Sequence, residues 1–274
     1  MRKTLNIILA LLTLTACMKK SDKQKDDFSK FKIPKVIQSQ KFDKADYFHV
    51  DSMQYAYCPM IDKYKFSDTI INFSLQNWKH RDGRTEEELM SCDTINTDGL
   101  QVRTDYKSSI AFKFDKNNNT NLYYPVFIVN ETNNLKTIIG QDDLVFAIQE
   151  ALDSSGYWRP IEKRCISFCG NGYWALNLNP KEYAMFLTHK YQGEFKTLLR
   201  VRIKIGNNIY VSQPFKGSIN PNQFFLIRKD CYAPRDYKEI FDYAGAVMIK
   251  FYGAIPLEFD SKYHLRKIEH NIDK

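Results

Sequence analysis

No local catalytic signature is present in this sequence. The five histidines, His49, His80, His189, His264 and His270, include no i, i+4 metal-ligand pair, and none stands beside a nucleophile motif. Gly-x-Ser-x-Gly, a phosphate-binding Gly-rich loop and His-Glu-x-x-His are all missing. These absences remove the chemistries that adjacent residues announce, while an enzyme assembled from distant residues stays open. Glycine and proline are few, 11 and 9 in 274 residues, whereas 17 Tyr, 19 Phe and 3 Trp can fill at least one core. A formal charge of +8 is mild for this length, and the basic residues are dispersed, so nucleic acid is not an expected partner. Nor is there an apolar run of the ~20 residues that a membrane-crossing helix needs; the longest, Leu5 to Leu14, is interrupted by Asn6 and Thr13.

That short run lies inside a recognisable export signal. Arg2 and Lys3 precede it and small residues follow, the three-part order of a secretory leader. The tetrad Leu14-Thr15-Ala16-Cys17 closes it and resembles the lipobox of bacterial lipoproteins. The resemblance covers residues 1–17. It implies cleavage after Ala16, a diacylglycerol thioether on Cys17 and a further acyl chain, palmitate among them, on the new amino group. More than one chain makes the anchor stable, at about 0.8 kcal/mol per buried CH₂. The membrane is then a partner through Cys17. Met18 stands where Asp would mark inner-membrane retention, which implies the outer membrane, facing either the periplasm or the cell surface. Loss of Arg2 and Lys3 would bring the charge from +8 to +6. Residues 17–46, the lipidated Cys and a segment with nine Lys and five Asp, are expected to be a basic flexible tether.

Beyond the tether the dominant period is two. From Glu194 to Ile205, Phe195, Thr197, Leu199, Val201, Ile203 and Ile205 face one way and charged residues mostly face the other, which predicts a long half-buried strand. Gly206-Asn207-Asn208 supplies a turn, and Ile209 to Ser212 returns as a hairpin partner. Further strands are expected at Leu122 to Asn130, Leu144 to Glu150, Tyr157 to Glu162, Tyr173 to Leu178 and Glu182 to Thr188. Residues Tyr191 to Thr197 follow the Asp-x-Gly-x-Tyr-x-Cys pattern leading into the sixth strand of an immunoglobulin-like domain, with Tyr191, Phe195 and Thr197 replacing its Asp, Tyr and Cys. Ile148 stands for the first cysteine and Trp158 for the core tryptophan. The resemblance implies a mainly β fold, an immunoglobulin-like β-sandwich over residues 106–228. Residues 47–105 would form an N-terminal β extension or small domain. Within the C-terminal extension, 229–274, Tyr237, Ile240, Phe241, Ala244, Val247, Met248 and Phe251 share helical spacing, with Asp236 and Glu239 as a capping box.

Candidate site residues are few. Trp174, Tyr173 and Trp78 could contact a ligand, for example by stacking on sugar rings, while Trp158 belongs to the core in the sandwich reading. Asp142-Asp143 and Glu86-Glu87-Glu88 are the paired carboxylates available to glycoside hydrolysis, but neighbours on a strand point apart and charge runs are solvated. Asp115 to Thr120 opens like a calcium loop yet has Thr120 and Val126 where Gly and Glu are required, so a polar turn is expected. With Cys17 lipidated, Cys58, Cys92, Cys165, Cys169 and Cys231 remain, an odd set that leaves one thiol free or intermolecular. The closely spaced Cys165 and Cys169 suggest a local disulfide or buried thiols over a metal site. No metal, cofactor or catalytic residue is expected. The reading is a lipid-anchored binding or structural protein of the cell envelope, with a protein or glycan partner. A glycan-acting enzyme or a carbohydrate-binding module is the alternative.

Overall fold

The computed structural model describes residues 31–38, 41–42, 44–73, 82–83, 99–113, 120–164, 172–226 and 237–263. The leader, Cys17, Trp78, Cys92, Cys165, Cys169, Cys231, the Glu86 to Glu88 run, residues 115–119 of the expected polar turn, and Asp236 lie outside them. The chain divides into two compact units, Met1–Lys32 and Ile33–Lys274, and the second is the subject here. It is mainly β, with open sheets and two α-helices among the described residues.

Two five-stranded sheets form the body. The first runs β3 (Met60–Lys65), β15 (Glu182–His189), β8 (Asn121–Asn130), β6 (Leu100–Thr104), with β7 (Ile110–Phe112) beside the other half of β8. The second runs β12 (Trp158–Pro160), β11 (Ala147–Leu152), β16 (Phe195–Ile205), β17 (Asn208–Val211), with β18 (Phe215–Ile219) also on β16. A third sheet orders β10 (Leu144–Val145), β9 (Lys136–Gln141), β14 (Tyr173–Leu178) and β5 (Asp82–Gly83). A bridge between Pro59 and Leu144 joins its edge to the first sheet. Two parallel pairs complete the strands: β1 (Lys35–Gln38) with β4 (Ile70–Phe73), and β2 (Gln54–Tyr55) with β13 (Glu162–Lys163).

The alternation in the sequence accounts for β16. Leu199, Val201, Ile203 and Ile205 are fully buried, and Arg200, Arg202 and Lys204 between them are half-buried. Gly206, at φ 57°, opens the turn into β17 in a region that glycine enters without steric cost. Strands β8 and β15 are buried along nearly their whole length, because both faces of their sheet are covered. On one side Val126, Ile128, Ala184 and Phe186 join the main core; on the other Tyr123 meets Phe112 edge-on at 5.5 Å and Phe127 meets Tyr183 at 5.8 Å. Pro125 can sit inside this central strand because it falls where the partner changes. The last β6 pair is Thr104 with Val126, and the first β7 pair is Ile110 with Tyr123.

Several expectations change. Lys35–Gln38 is a strand paired with Ile70–Phe73, so the tether cannot extend unbroken to residue 46; the β-branched pair Val36-Ile37 supplies the strand preference. Strands β3 and β6, from residues 47–105, share a sheet with β8 and β15 from the region after them. An immunoglobulin sandwich would put the counterparts of Ile148 and Thr197 in opposing sheets. Here β11 and β16 are antiparallel neighbours, with Ile148 opposite Arg202 and the Thr197 hydroxyl donating to the Leu152 carbonyl at 2.6 Å. The expected strand Leu144 to Glu150 is broken at Phe146, its first part going to the third sheet and its second to the second.

The C-terminal helix is present as α1 (Tyr237–Tyr252), followed by α2 (Leu257–Tyr263). Met248 and Tyr252 enter the core. Gly253, at φ 61°, ends α1, and the N–H groups of Gly253 and Ala254 return to the Ile249 and Met248 carbonyls. Arg159 ties this end of the chain to edge strand β12. Its guanidinium donates to Asp153 at 3.0 Å, to Asp260 at 2.5 Å and to the Ile255 carbonyl at 3.1 Å, with the side chain almost wholly buried.

Trp174 is more buried, and Trp158 less buried, than expected. Trp174 is 3% exposed, its ring lying against Gly140 of β9, so no sugar can reach its face. Trp158 is half-buried and carries the Arg200 guanidinium 4.2 Å over its ring. A Cβ on Gly140 would collide with the Trp174 ring and the Leu144 carbonyl. Gly140→Ala is therefore expected to cost about 1–3 kcal/mol, the range for overpacking a filled site, read as a lower urea midpoint at unchanged slope.

Candidate functional site: a basic groove over a buried polar cluster

A polar cluster lies between the two large sheets. Glu162 in β13 is fully buried and its carboxylate accepts three hydrogen bonds: from the Gln149 backbone N–H at 2.7 Å, the Gln149 side-chain amide at 3.1 Å and the Tyr191 hydroxyl at 2.7 Å. The same Gln149 amide donates to the His189 carbonyl at 2.8 Å. His189 Nδ1 stands 3.6 Å from Glu162, within ion-pair range but too far for a hydrogen bond. Its ring is stacked on Phe48 at 4.0 Å and tilted against Tyr123 at 4.9 Å.

Cys58 completes the cluster, its Sγ 3.7 Å from the Ala147 carbonyl and 4.0 Å from the Thr188 hydroxyl. Cysteine, histidine and glutamate are the residue types of a thiol nucleophile with its base. The environment opposes that use. Cys58 is 1% exposed, and burial first, then the Glu162 charge, push its thiol well above the ordinary range. A thiol held protonated and out of reach of solvent is a packing group. Burial and the neighbouring Glu162 likewise push the Tyr191 phenol up.

Above Tyr191 the surface opens into a groove of about 650 Å³. Tyr47 and Tyr124 line it with Lys190, Lys196 and Lys216, and no carboxylate is among its described lining residues. Lys190 follows β15, Lys196 lies in β16 and Lys216 in β18. The pairings Lys196 with Ser218 and Leu198 with Lys216 set the last two ammonium groups diagonally across one sheet face. Lys190 is poised 5.0 Å over the Tyr124 ring and 5.5 Å over the Tyr47 ring, and donates to the Ser109 hydroxyl at 2.6 Å. Desolvation holds its ammonium below the usual lysine range, with Asp105 acting weakly the other way. A second hollow of about 710 Å³, reached by Gln192 to Glu194 of the segment that follows Tyr191, is lined by His49, Asp51, Gln54, Gln192, Glu194 and Asn220 among others, with two carboxylates and no lysine or arginine among the described lining residues.

The candidates read from sequence fall elsewhere. Tyr173 is half-buried and packs edge-on against Phe146 at 6.3 Å. Asp142 and Asp143 occupy the exposed turn between β9 and β10, with Asp142 at φ 51°. Among the described residues no group of three His, Cys, Asp or Glu side chains could hold a metal ion, and no helix is long and apolar enough to cross a membrane. The residues that do converge are numbered 47, 124, 190, 196 and 216, spread over five segments. The one sequence signal was that Lys196 alternates with buried neighbours, and it indicates exposure without indicating a groove. Set against known proteins, the chain matches no family model, and no curated protein shows significant similarity to it.

The buried hydroxyls and thiol set a pH dependence. Burial raises Tyr124 to about 12 and moves Tyr123, Tyr191 and Cys58 upward from ordinary values of 10.0 for tyrosine and 9.0 for cysteine. Between the unfolded and folded values the native state keeps protons that the unfolded chain has released. The stability these groups contribute is thus complete below the unfolded values and is lost as pH rises through that window. The urea midpoint is expected to fall progressively from about pH 9 upward, with the buried tyrosines, as distinct from the exposed ones, ionising only as the protein unfolds. Ionisation of these tyrosines well before the loss of structure would contradict it.

Proposed function

We propose that the protein is a lipid-anchored binding protein of the cell envelope, held in the outer membrane through acyl chains on Cys17. The basic, tyrosine-lined groove carries the binding role, because it combines room for a ligand with the exposed charges of Lys196 and Lys216 on strands that a packed core holds still. The anchor is supported by the Leu14-Thr15-Ala16-Cys17 tetrad behind its charged and apolar leader. From the immunoglobulin-like pattern we keep the layered architecture, two antiparallel sheets presenting a ligand at one end, without its strand order.

The buried Cys58 cluster favours binding over catalysis. Its thiol is shielded and protonated, and among the described residues no carboxylate or histidine lines the groove beside Lys196 and Lys216 to form a proton relay. An envelope glycan-binding module is the form of this reading that the tyrosines support best.

Metabolic labelling with alkyne-tagged palmitate tests the anchor. The wild-type chain should incorporate the tag and sediment with outer membranes, and Cys17→Ser should lose both label and sedimentation. Retention of label by Cys17→Ser would refute lipidation at that residue. A photo-crosslinking residue in place of Leu198, on the groove face, should capture an envelope component in intact cells that the same residue in place of Tyr157 does not.

A further inference from the structure

We infer that the groove formed by Tyr47, Tyr124, Lys190, Lys196 and Lys216 is a site for an acidic oligosaccharide, one whose sugars carry carboxylate or sulfate groups. The inference rests on the binding role proposed above and names its ligand class.

Charge is the first argument. Lys196 and Lys216 are exposed and sit diagonally on neighbouring strands, where like charges repel. Among the described residues no carboxylate forms an ion pair with Lys190, Lys196 or Lys216. This contrasts with Glu150 and Asp153, each of which holds arginine within 3.0 Å elsewhere in the second sheet. Lys196 and Lys216, with no carboxylate paired to either among the described residues, and Lys190, on which only the Asp105 charge acts, form one concave surface complementary to an anion with several separated charges. Lysine, a mobile point charge, suits groups dispersed along a polymer, whereas a compact phosphate or a single carboxylate is better matched by the fork of arginine.

The aromatic surface is the second. Tyr47 is half-buried beside the lysines, and Tyr124 forms the floor, braced edge-on by Phe215 at 5.2 Å. Phe215 in turn carries Tyr106, 48% exposed, stacked parallel at 5.7 Å. Tyr124, 5% exposed, only floors the groove, while the half-buried Tyr47 can offer an apolar edge to the C–H side of a pyranose and a hydroxyl to its polar edge, so lysines with a phenol beside them match the charged and apolar surfaces of a uronate or sulfated chain. About 650 Å³ lies within the ~300–1,000 Å³ typical of small-ligand sites, which accommodates a short segment of such a chain. A membrane surface is a poorer match, since a flat array of head groups cannot enter a concavity.

The test is calorimetric titration of the full-length protein in neutral detergent with oligogalacturonate, with a heparin-derived oligosaccharide and with an uncharged maltooligosaccharide of similar length. Binding to at least one acidic oligosaccharide, weakened by added salt, is expected, with none to the neutral one. The double variant Lys196→Gln, Lys216→Gln should weaken binding by about tenfold or more while its thermal midpoint stays at the wild-type value. Binding that is unchanged in this variant, or equal affinity for single-stranded DNA or for phosphatidylglycerol vesicles, would overturn the assignment, as would no binding to either acidic oligosaccharide. The palmitate experiment separates the two readings. A labelled protein that ignores acidic glycans defeats only the groove assignment, and an unlabelled protein that binds them defeats only the anchor.

Discussion

Gln149 and Glu150 stand next to each other in β11, an interior strand, and both are buried. Adjacent residues of a strand point to opposite faces, so the second sheet must satisfy a buried amide on one side and a buried carboxylate on the other. Each requirement recruits a different part of the chain. On the face toward the first sheet, Gln149 bonds Glu162 and the His189 carbonyl, which brings β13 and the end of β15 against β11. On the opposite face, Glu150 accepts from Arg200 at 2.5 Å and Arg202 at 2.7 Å, and Arg202 passes a further hydrogen bond to the Tyr252 carbonyl at the end of α1. Removing one member of such a buried pair typically costs about 3–5 kcal/mol, comparable with much of a domain's net stability. The strand order and the seat of the helix are tied to this dipeptide.

The groove inherits its rigidity from the first of those networks. Tyr191 bonds Glu162 through its hydroxyl and also forms part of the groove wall, so the segment that carries Lys190 is fixed from below. On the next strand pair, Gly217 of β18 lies directly against the Leu199 side chain of β16, which keeps Lys196 and Lys216 at a close lateral spacing. The ammonium groups are thus presented by hydrogen-bonded strands and a braced connection, and little ordering is left for a ligand to impose.

How much of this was legible in the sequence depends on whether the determining contact is local. The alternation from Phe195 to Ile205 and the Gly206 turn were readable because period and turn chemistry are properties of a few neighbouring residues. The same holds for α1, whose apolar spacing survives in the buried Met248. Strand β9 was missed: Lys136-Thr137-Ile138-Ile139-Gly140-Gln141 has weak alternation, and its glycine is there for the Trp174 ring that crosses it, a partner far along the chain. The burial of the two tryptophans differs from expectation for a related reason. Position in a pattern suggested a core role for Trp158, but which face of a strand is covered depends on layers assembled later in the fold. The immunoglobulin-like spacing likewise matched distances along the chain without fixing which strands would pair, and strands β11 and β16 paired directly.

The groove was illegible for the strongest form of that reason. Lys190, Lys196 and Lys216 look, one by one, like solvated lysines, and nothing in the segments around Tyr47 and Tyr124 connects them to those positions. What makes the five a site is a described lining that holds three lysines and no carboxylate, and that is a property of three-dimensional neighbourhood: Glu194 is only two residues from Lys196 yet lines the second hollow and not the groove. The separation of sign, lysines lining the groove and Asp51 and Glu194 lining the second hollow, falls at the bend of the chain between β15 and β16. That bend is fixed in turn by Gly193, whose backbone lies so close to Ile219 and Asn220 that no side chain fits there. A close glycine contact thus helps hold apart two surfaces of different charge whose residues are near neighbours in the sequence.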